Sequence, residues 1–152
     1  MLFIDENPRK DMISDAISRF PDECCGFMFG TETGDKRYIT EIKVVKNARE
    51  GDKHNRYEIS AGDYLEAERY SLVNNLSILG IYHSHPNHPP IASETDRLAA
   101  QPYFSYLIIS VVERNFSEWR SWKLNQENKF EEELINETAN AEKFKSKQSW
   151  RP

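Results

Sequence analysis

Residues 76–96 have the sequence LSILGIYHSHPNHPPIASETD. The apolar run at its start, residues 76–81, predicts a buried strand. Because successive side chains on a strand point to opposite faces, His83 and His85 would project to the same side. Two imidazoles on one face, joined by a carboxylate from the next element, can form a three-ligand metal site.

Asp96 supplies a carboxylate eleven residues after His85. If Ser93 is the N-cap of a short helix, Asp96 falls in its first turn and can face back toward the strand end. A catalytic zinc site has three protein ligands and an open position for water, whose pKa the metal lowers to about 7. A general base is then needed, and Glu23 is the candidate because it directly precedes a predicted buried strand. Asp22 is adjacent, so a shift of one residue would exchange the two acids.

The size and charge of the chain narrow the possible classes of protein. A length of 152 residues predicts one domain with its own core. The net charge of −5 argues against a nucleic-acid-binding face. The sequence has no apolar segment long enough to cross a bilayer and no secretory signal, so we expect no membrane partner. Cys24 and Cys25 are adjacent and unsuited to a strain-free disulfide, which predicts reduced thiols and a cytoplasmic location.

Periodicity and turn-forming residues predict a mixture of helices and strands. Helices are expected near residues 7–20, 61–74 and 93–100, and strands near 25–30, 38–46, 56–59, 77–84, 105–112 and 119–124. Residues 129–135 can form either a strand or a helix. This order predicts a single α/β (α+β) domain over residues 1–135, built around a mixed sheet. Residues 136–152 are predicted to be a polar tail, helical or disordered.

The motif spacing resembles that of a known family. His83-Ser84-His85, seven further residues and then Ser93-Glu94-Thr95-Asp96 match the JAMM pattern, HxH followed by SxxD. Residues 22–30, DECCGFMFG, resemble the upstream segment of that family, where a catalytic Glu precedes an apolar strand containing glycine. Over roughly residues 8–135 the chain thus resembles the JAMM (MPN+) zinc metalloproteases. Its nearest resemblance is to the compact bacterial branch that acts on ubiquitin-like sulfur-carrier proteins.

The resemblance implies a fold, a site and a reaction. The fold would be an MPN-type mixed, curved sheet flanked by two to three helices. One zinc ion per chain would be held by His83, His85 and Asp96, with Glu23 as general base and Ser93 stabilising the oxyanion. The reaction would use a zinc-activated water to hydrolyse the amide bond after the C-terminal Gly-Gly of a ubiquitin-like sulfur carrier. The site also requires residues 22–30 to pack beside residues 77–85.

Two alternative functions stay open at this stage. A deconjugase with the same chemistry would remove a ubiquitin-like modifier from target proteins. A zinc-stabilised protein-interaction module would have no turnover, although it would have no use for Glu23 or Ser93. Of the remaining histidines, His88 is expected at the rim of the cleft and His54 in a solvated loop.

Overall fold

The computed structural model of the protein describes residues 1–136, so residues 137–152 of the predicted tail lie outside it. In this part of the chain, none of the helices has the length and apolar character needed to cross a bilayer. The elements are β1 (Leu2–Ile4), α1 (Glu6–Arg19), β2 (Cys25–Thr33), β3 (Lys36–Val45), α2 (Ala61–Val73), β4 (Ser77–Pro86), α3 (Glu94–Ala99), β5 (Ser105–Val112), β6 (Asn115–Leu124) and β7 (Phe130–Glu133).

The strands form one mixed sheet in the order β1-β3-β2-β4-β5-β6-β7. The pairs β1/β3 and β4/β5 are parallel, and the other neighbours are antiparallel. The sheet curls until its two edges meet. Leu2 N–H donates to the carbonyl of Leu134 at 2.8 Å, and the Leu2 carbonyl accepts from Asn136 N–H at 2.9 Å. The predicted mixed, curved sheet with two to three helices is confirmed.

The structure differs from the predicted elements at two places and decides between the alternatives at a third. The strand predicted at residues 56–59 is wrong, because this extended segment joins no strand of the sheet. It alternates between exposed and half-buried residues as a strand would, but its Glu58 carbonyl accepts a hydrogen bond from Ala48 N–H of a neighbouring loop, at 2.8 Å. The three-residue β1 was not predicted, because so short a run carries no periodicity. Residues 130–133 adopt the strand alternative.

Apolar side chains pack on both faces of the sheet. On one face, Met12 and Ala16 of α1 pack with a buried cluster that includes Leu79, Leu107 and Trp119. On the other face, Ala67 of α2 belongs to a second cluster with Phe27, Phe29 and Ile81 of the sheet. The sheet is therefore buried on both sides, which fixes the orientation of its central strands. Both cysteines are free and buried.

The antiparallel pairing of β2 with β4 confirms that residues 22–30 pack beside residues 77–85. Its register sets Cys25 opposite His83 and Gly26 opposite Tyr82. A Cβ at Gly26 would lie 2.4 Å from the Tyr82 ring, so the ring lies over β2 only because residue 26 has no side chain. Tyr82 in turn donates a hydrogen bond from its hydroxyl to Asp15 of α1 at 2.9 Å. Helix α1, β2 and β4 are thereby held together directly below the histidines.

A buried arginine holds the opposite end of the central strands. The guanidinium of Arg37 donates to the carbonyls of Leu79 (2.9 Å) and Tyr103 (2.7 Å) and to the Ser105 hydroxyl (2.9 Å). It also forms an ion pair with Glu32 at 2.7 Å. Because Arg37 is only 3% exposed, its removal would leave buried acceptors without donors.

We predict that Arg37→Met lowers the free energy of unfolding by about 3 kcal/mol, since several buried acceptors lose their partner. The matched control is Arg120→Met, which removes a half-exposed arginine that lies 3.9 Å from Glu118 and 3.7 Å from Glu132. Arg120→Met should lower the free energy of unfolding by less than about 1 kcal/mol. Urea unfolding followed by tryptophan fluorescence measures both, and equal losses would contradict the prediction.

Candidate functional site

The two histidines of the motif lie at the C-terminal part of β4, on the face that carries Ile81. Their ring centroids are 5.2 Å apart, so they project to the same side as predicted. His83 is completely buried, whereas the side chain of His85 is 11% exposed. The pair therefore lies at the boundary between the core and the solvent.

Helix α3 brings Asp96 to these histidines. Ser93 is its N-cap and forms a capping box: the Ser93 hydroxyl accepts from Asp96 N–H at 3.0 Å, and Asp96 Oδ2 accepts from Ser93 N–H at 2.9 Å. The cap fixes the Asp96 side chain, whose Oδ1 lies 3.2 Å from His83 Nε2 and whose Oδ2 lies 3.3 Å from His85 Nε2. One carboxylate thus faces both imidazoles.

Glu23 approaches the same point from the loop before β2. It is 3% exposed, and a carboxylate oxygen of Glu23 and one nitrogen of each histidine all lie within 4.8 Å of one another. Asp22 points elsewhere: its side chain is half exposed and lies 3.4 Å from His54 Nε2. The register of β2 therefore brings Glu23, and not Asp22, to the histidines.

Burial and neighbouring charges shift the pKa values of these groups. Burial raises the pKa of Glu23 to about 9, and the charge of Asp96 adds to the rise. Burial lowers the pKa of His83 and keeps the ring neutral, although Asp96 opposes the shift. Burial alone would raise the pKa of Asp96, but His83 and His85 lower it well below its ordinary value. A neutral His83 imidazole beside an ionised Asp96 carboxylate is in the protonation state that metal binding needs.

The loop after β4 is held against the β5–β6 pair. His85 Nδ1 lies 2.9 Å from the Pro89 carbonyl, which orients the ring and leaves Nε2 facing Asp96. The next carbonyl, that of Pro90, accepts from Trp122 Nε1–H at 3.0 Å. The role of Trp122 in holding this loop has no signal in the local sequence pattern.

A cleft of about 210 Å³ leads to the site from the surface. Its lining residues are Glu23, His54, Asn55, His85, His88, Pro89, Ile91 and Ser93. The prediction that His88 lies at the rim is confirmed. His54 is exposed as expected for a solvated loop, but that loop also forms one wall of the cleft.

Comparison with known proteins identifies the family. Residues 6–125 match the Prok-JAB family, described as prokaryotic homologues of the JAB domain. The chain belongs to this family. The family resemblance drawn from the motif spacing is thereby confirmed, together with the fold that it implies.

Two relatives of this Prok-JAB domain have names that describe an activity. A desampylase of Pyrococcus furiosus is 27% identical over 113 residues, which are 74% of this chain and 74% of that protein. A CysO-cysteine peptidase of Mycobacterium tuberculosis is 29% identical over 116 residues, which are 74% of this chain and 75% of that protein.

Solved structures resemble this Prok-JAB domain over most of its length. The solution structure of a Desulfitobacterium hafniense protein, 27% identical, has a TM-score of 0.78 and covers 89% of this chain and 91% of that chain. The crystal structure of a JAB1/MPN domain protein from Archaeoglobus fulgidus is 17% identical with a TM-score of 0.53, covering 89% of this chain and 98% of that chain. The second likeness shows a shared fold.

The unsatisfied polar atoms at the site fit a metal cation. Neither ring nitrogen of His83 makes a hydrogen bond with any residue in the described part of the chain, and the same holds for Glu23 Oε1. Asp96 lies at ion-pair distance from His83, but without hydrogen-bond geometry. Buried polar atoms of this kind normally have partners. Two imidazole nitrogens with a carboxylate are a donor set that zinc accepts.

We predict that His83→Ala, His85→Ala and Asp96→Ala each weaken zinc binding by more than the roughly 10- to 100-fold that losing an outer-shell partner costs. The control is His54→Ala, which removes an exposed histidine of the same cleft and should leave zinc affinity unchanged. Competition with a chromophoric chelator measures each dissociation constant. Unchanged affinity in any of the three variants would remove that residue from the ligand set.

Proposed function

We propose that this Prok-JAB domain is a zinc-dependent peptidase or isopeptidase. Its substrate would be the amide bond that follows the C-terminal Gly-Gly of a ubiquitin-like, sulfur-carrier protein. The observation that carries the proposal is the convergence of Glu23, His83, His85 and Asp96 at the inner end of an open cleft. The names of the two relatives, a desampylase and a CysO-cysteine peptidase, support hydrolysis of a ubiquitin-like modifier.

In this proposal His83, His85 and Asp96 hold the metal. When bound, zinc would supply Lewis acidity, which polarises the scissile carbonyl and makes water a stronger acid. Asp96 would also balance the positive charge with its carboxylate, which the capping box holds in place.

Glu23 acts as the general base. Its carboxylate takes a proton from the attacking water as the oxygen bonds to the carbonyl carbon. It returns that proton to the leaving nitrogen as the C–N bond breaks. The raised pKa of Glu23 makes it a stronger base than an exposed carboxylate, and a nearby cation would bring the pKa down toward neutral pH.

Ser93 stabilises the negative oxygen of the tetrahedral intermediate. Its hydroxyl oxygen accepts from Asp96 N–H in the helix cap, and a hydroxyl that accepts in this way can still donate its own proton. Ser93 also lines the same cleft as Glu23. Ser93 would thus both cap α3 and donate a hydrogen bond to the negative oxygen of the intermediate.

We predict that Glu23→Gln retains wild-type zinc affinity and lowers kcat/KM by about 100-fold or more, since the base is lost while the ligands stay. Asp22→Asn is the matched control: it makes the same chemical change one residue away, and it should keep full activity. Wild-type turnover by Glu23→Gln would overturn the assignment of the general base.

The same variant separates catalysis from the interaction-module alternative. A purely structural zinc site is closed by four protein ligands. If Glu23 were the fourth ligand, Glu23→Gln would weaken zinc binding strongly; if it is the base, zinc affinity stays constant and turnover falls. Chelator competition and activity measured on one preparation therefore distinguish the two functions.

Two substrates separate peptidase from deconjugase activity. One is a ubiquitin-like protein ending in Gly-Gly with a single added cysteine, and the other is the same protein joined through Gly-Gly to a lysine side chain. We expect faster cleavage of the first, with removal of zinc by 1,10-phenanthroline abolishing the reaction and added zinc restoring it. Preferential cleavage of the lysine conjugate would favour the deconjugase, and cleavage of neither would overturn the proposed substrate class.

A further inference from the structure

The two histidines of the site are held in different ways. His85 has a hydrogen-bond partner in the Pro89 carbonyl, the usual means by which a protein orients a metal-binding imidazole. Neither nitrogen of His83 forms a hydrogen bond with a residue between positions 1 and 136. Its contact with Asp96 Oδ1, which lies 3.2 Å from Nε2, also lacks hydrogen-bond geometry, so the plane of the His83 ring depends on a contact with its flat face.

Tyr57 makes that contact. Its ring is stacked on the His83 imidazole, with centroids 4.5 Å apart and an angle of 26° between the ring planes. Tyr57 also packs against the apolar cluster that contains Ile81, the preceding residue on this face of β4. A near-parallel ring at this distance prevents the imidazole from rotating out of its plane, because the two flat faces are in van der Waals contact.

We propose that Tyr57 is a positioning residue for His83. Its stacked ring fixes the plane of the His83 imidazole, just as the hydrogen bond to the Pro89 carbonyl fixes the plane of the His85 imidazole. The lone pair of a ligand nitrogen lies in the plane of its ring, so the stack determines the plane in which Nε2 points. The proposal rests on the proposed zinc site, and it adds to that site a residue outside the motif.

Asn47 holds Tyr57 in place. It is 3% exposed, and its amide group donates to the carbonyls of Glu23 (3.2 Å) and Arg56 (3.1 Å). Its oxygen accepts from the N–H groups of Arg49 (3.0 Å) and Glu58 (3.1 Å). The amide thus uses both of its donor hydrogens and both acceptor positions.

The Asn47 contacts connect the general base to the metal ligand. The residues before and after Tyr57 are both bonded to Asn47, so the backbone on each side of the stacked ring is fixed. The bond to the Glu23 carbonyl, together with Glu23 N–H donating to the Lys53 carbonyl at 2.7 Å, fixes the base to the same segment. One buried amide therefore relates the position of Glu23 to the orientation of His83.

The test compares Tyr57→Phe, Tyr57→Met and Tyr57→Leu by zinc affinity, measured in competition with a chelator. Tyr57→Phe keeps the stacked ring and should bind zinc like the wild type. Tyr57→Met and Tyr57→Leu fill the space without a planar ring, and each should weaken zinc binding by about tenfold or more. In the cobalt-substituted proteins, the visible absorption band should shift for these two variants and stay unchanged for Tyr57→Phe.

The matched control is Tyr70→Leu. Tyr70 packs against the same apolar cluster, with its ring 5.1 Å from Phe29, and it reaches Glu41 with its hydroxyl. This variant should lower thermal stability while leaving zinc affinity and the cobalt spectrum unchanged. Far-UV circular dichroism establishes that each protein is folded, and the Met variant provides the measurement if the Leu variant does not fold.

The outcomes separate this inference from the proposed function. Wild-type affinity and spectrum in both Tyr57→Met and Tyr57→Leu would overturn the role of Tyr57 and leave the zinc site standing. Equal loss in Tyr70→Leu would also overturn it, because the effect would then come from general core packing. A wild-type protein that binds no zinc would overturn the proposed function and this inference together.

Discussion

The pairing of β2 with β4 is the constraint on which the rest of the site depends. It sets Cys25 opposite His83, so the residue two positions earlier in the chain, Glu23, reaches the histidine face. A shift of one residue would bring Asp22 there and turn the apolar side chains of β2 away from the core that they fill. The register is therefore fixed by burial on both faces of the sheet, and the placement of Glu23 beside the histidines follows from it.

The groups of the site are unfavourable for the stability of the fold. The site concentrates an acid with a raised pKa, a fully buried imidazole and polar atoms without hydrogen-bond partners in one small volume. Groups of this kind are unfavourable in a core and are typical of catalytic centres. Networks with several hydrogen bonds lie elsewhere: Arg37 joins the far ends of three strands, and Tyr82 joins β4 to Asp15 of α1. These networks lie around a site whose own polar atoms are not satisfied by hydrogen bonds within the described part of the chain.

Segments outside the sheet complete the site. Helix α3 brings Asp96, the loop after β4 orients His85 through the Pro89 carbonyl, and residues 47–58 contact Glu23 and His83. Each of these segments is held by a small number of separate hydrogen bonds, from side chains and from the backbone, and not by a continuous strand ladder. Such segments can present polar groups that a sheet face would have to bury. The strands position the two histidines, and the segments outside the sheet supply the other side chains of the site.

By itself the sequence determined those features that depend on near neighbours in the chain. The alternation of β4 placed both histidines on one face, and the three-residue spacing from Ser93 to Asp96 determined the helix cap, because both follow from local backbone geometry. The choice of Glu23 over Asp22, the sheet that closes on itself and the stack of Tyr57 on His83 were decided only by the tertiary structure. Each of these joins residues far apart in the chain, and their distances depend on strand register and loop path, which no local pattern encodes.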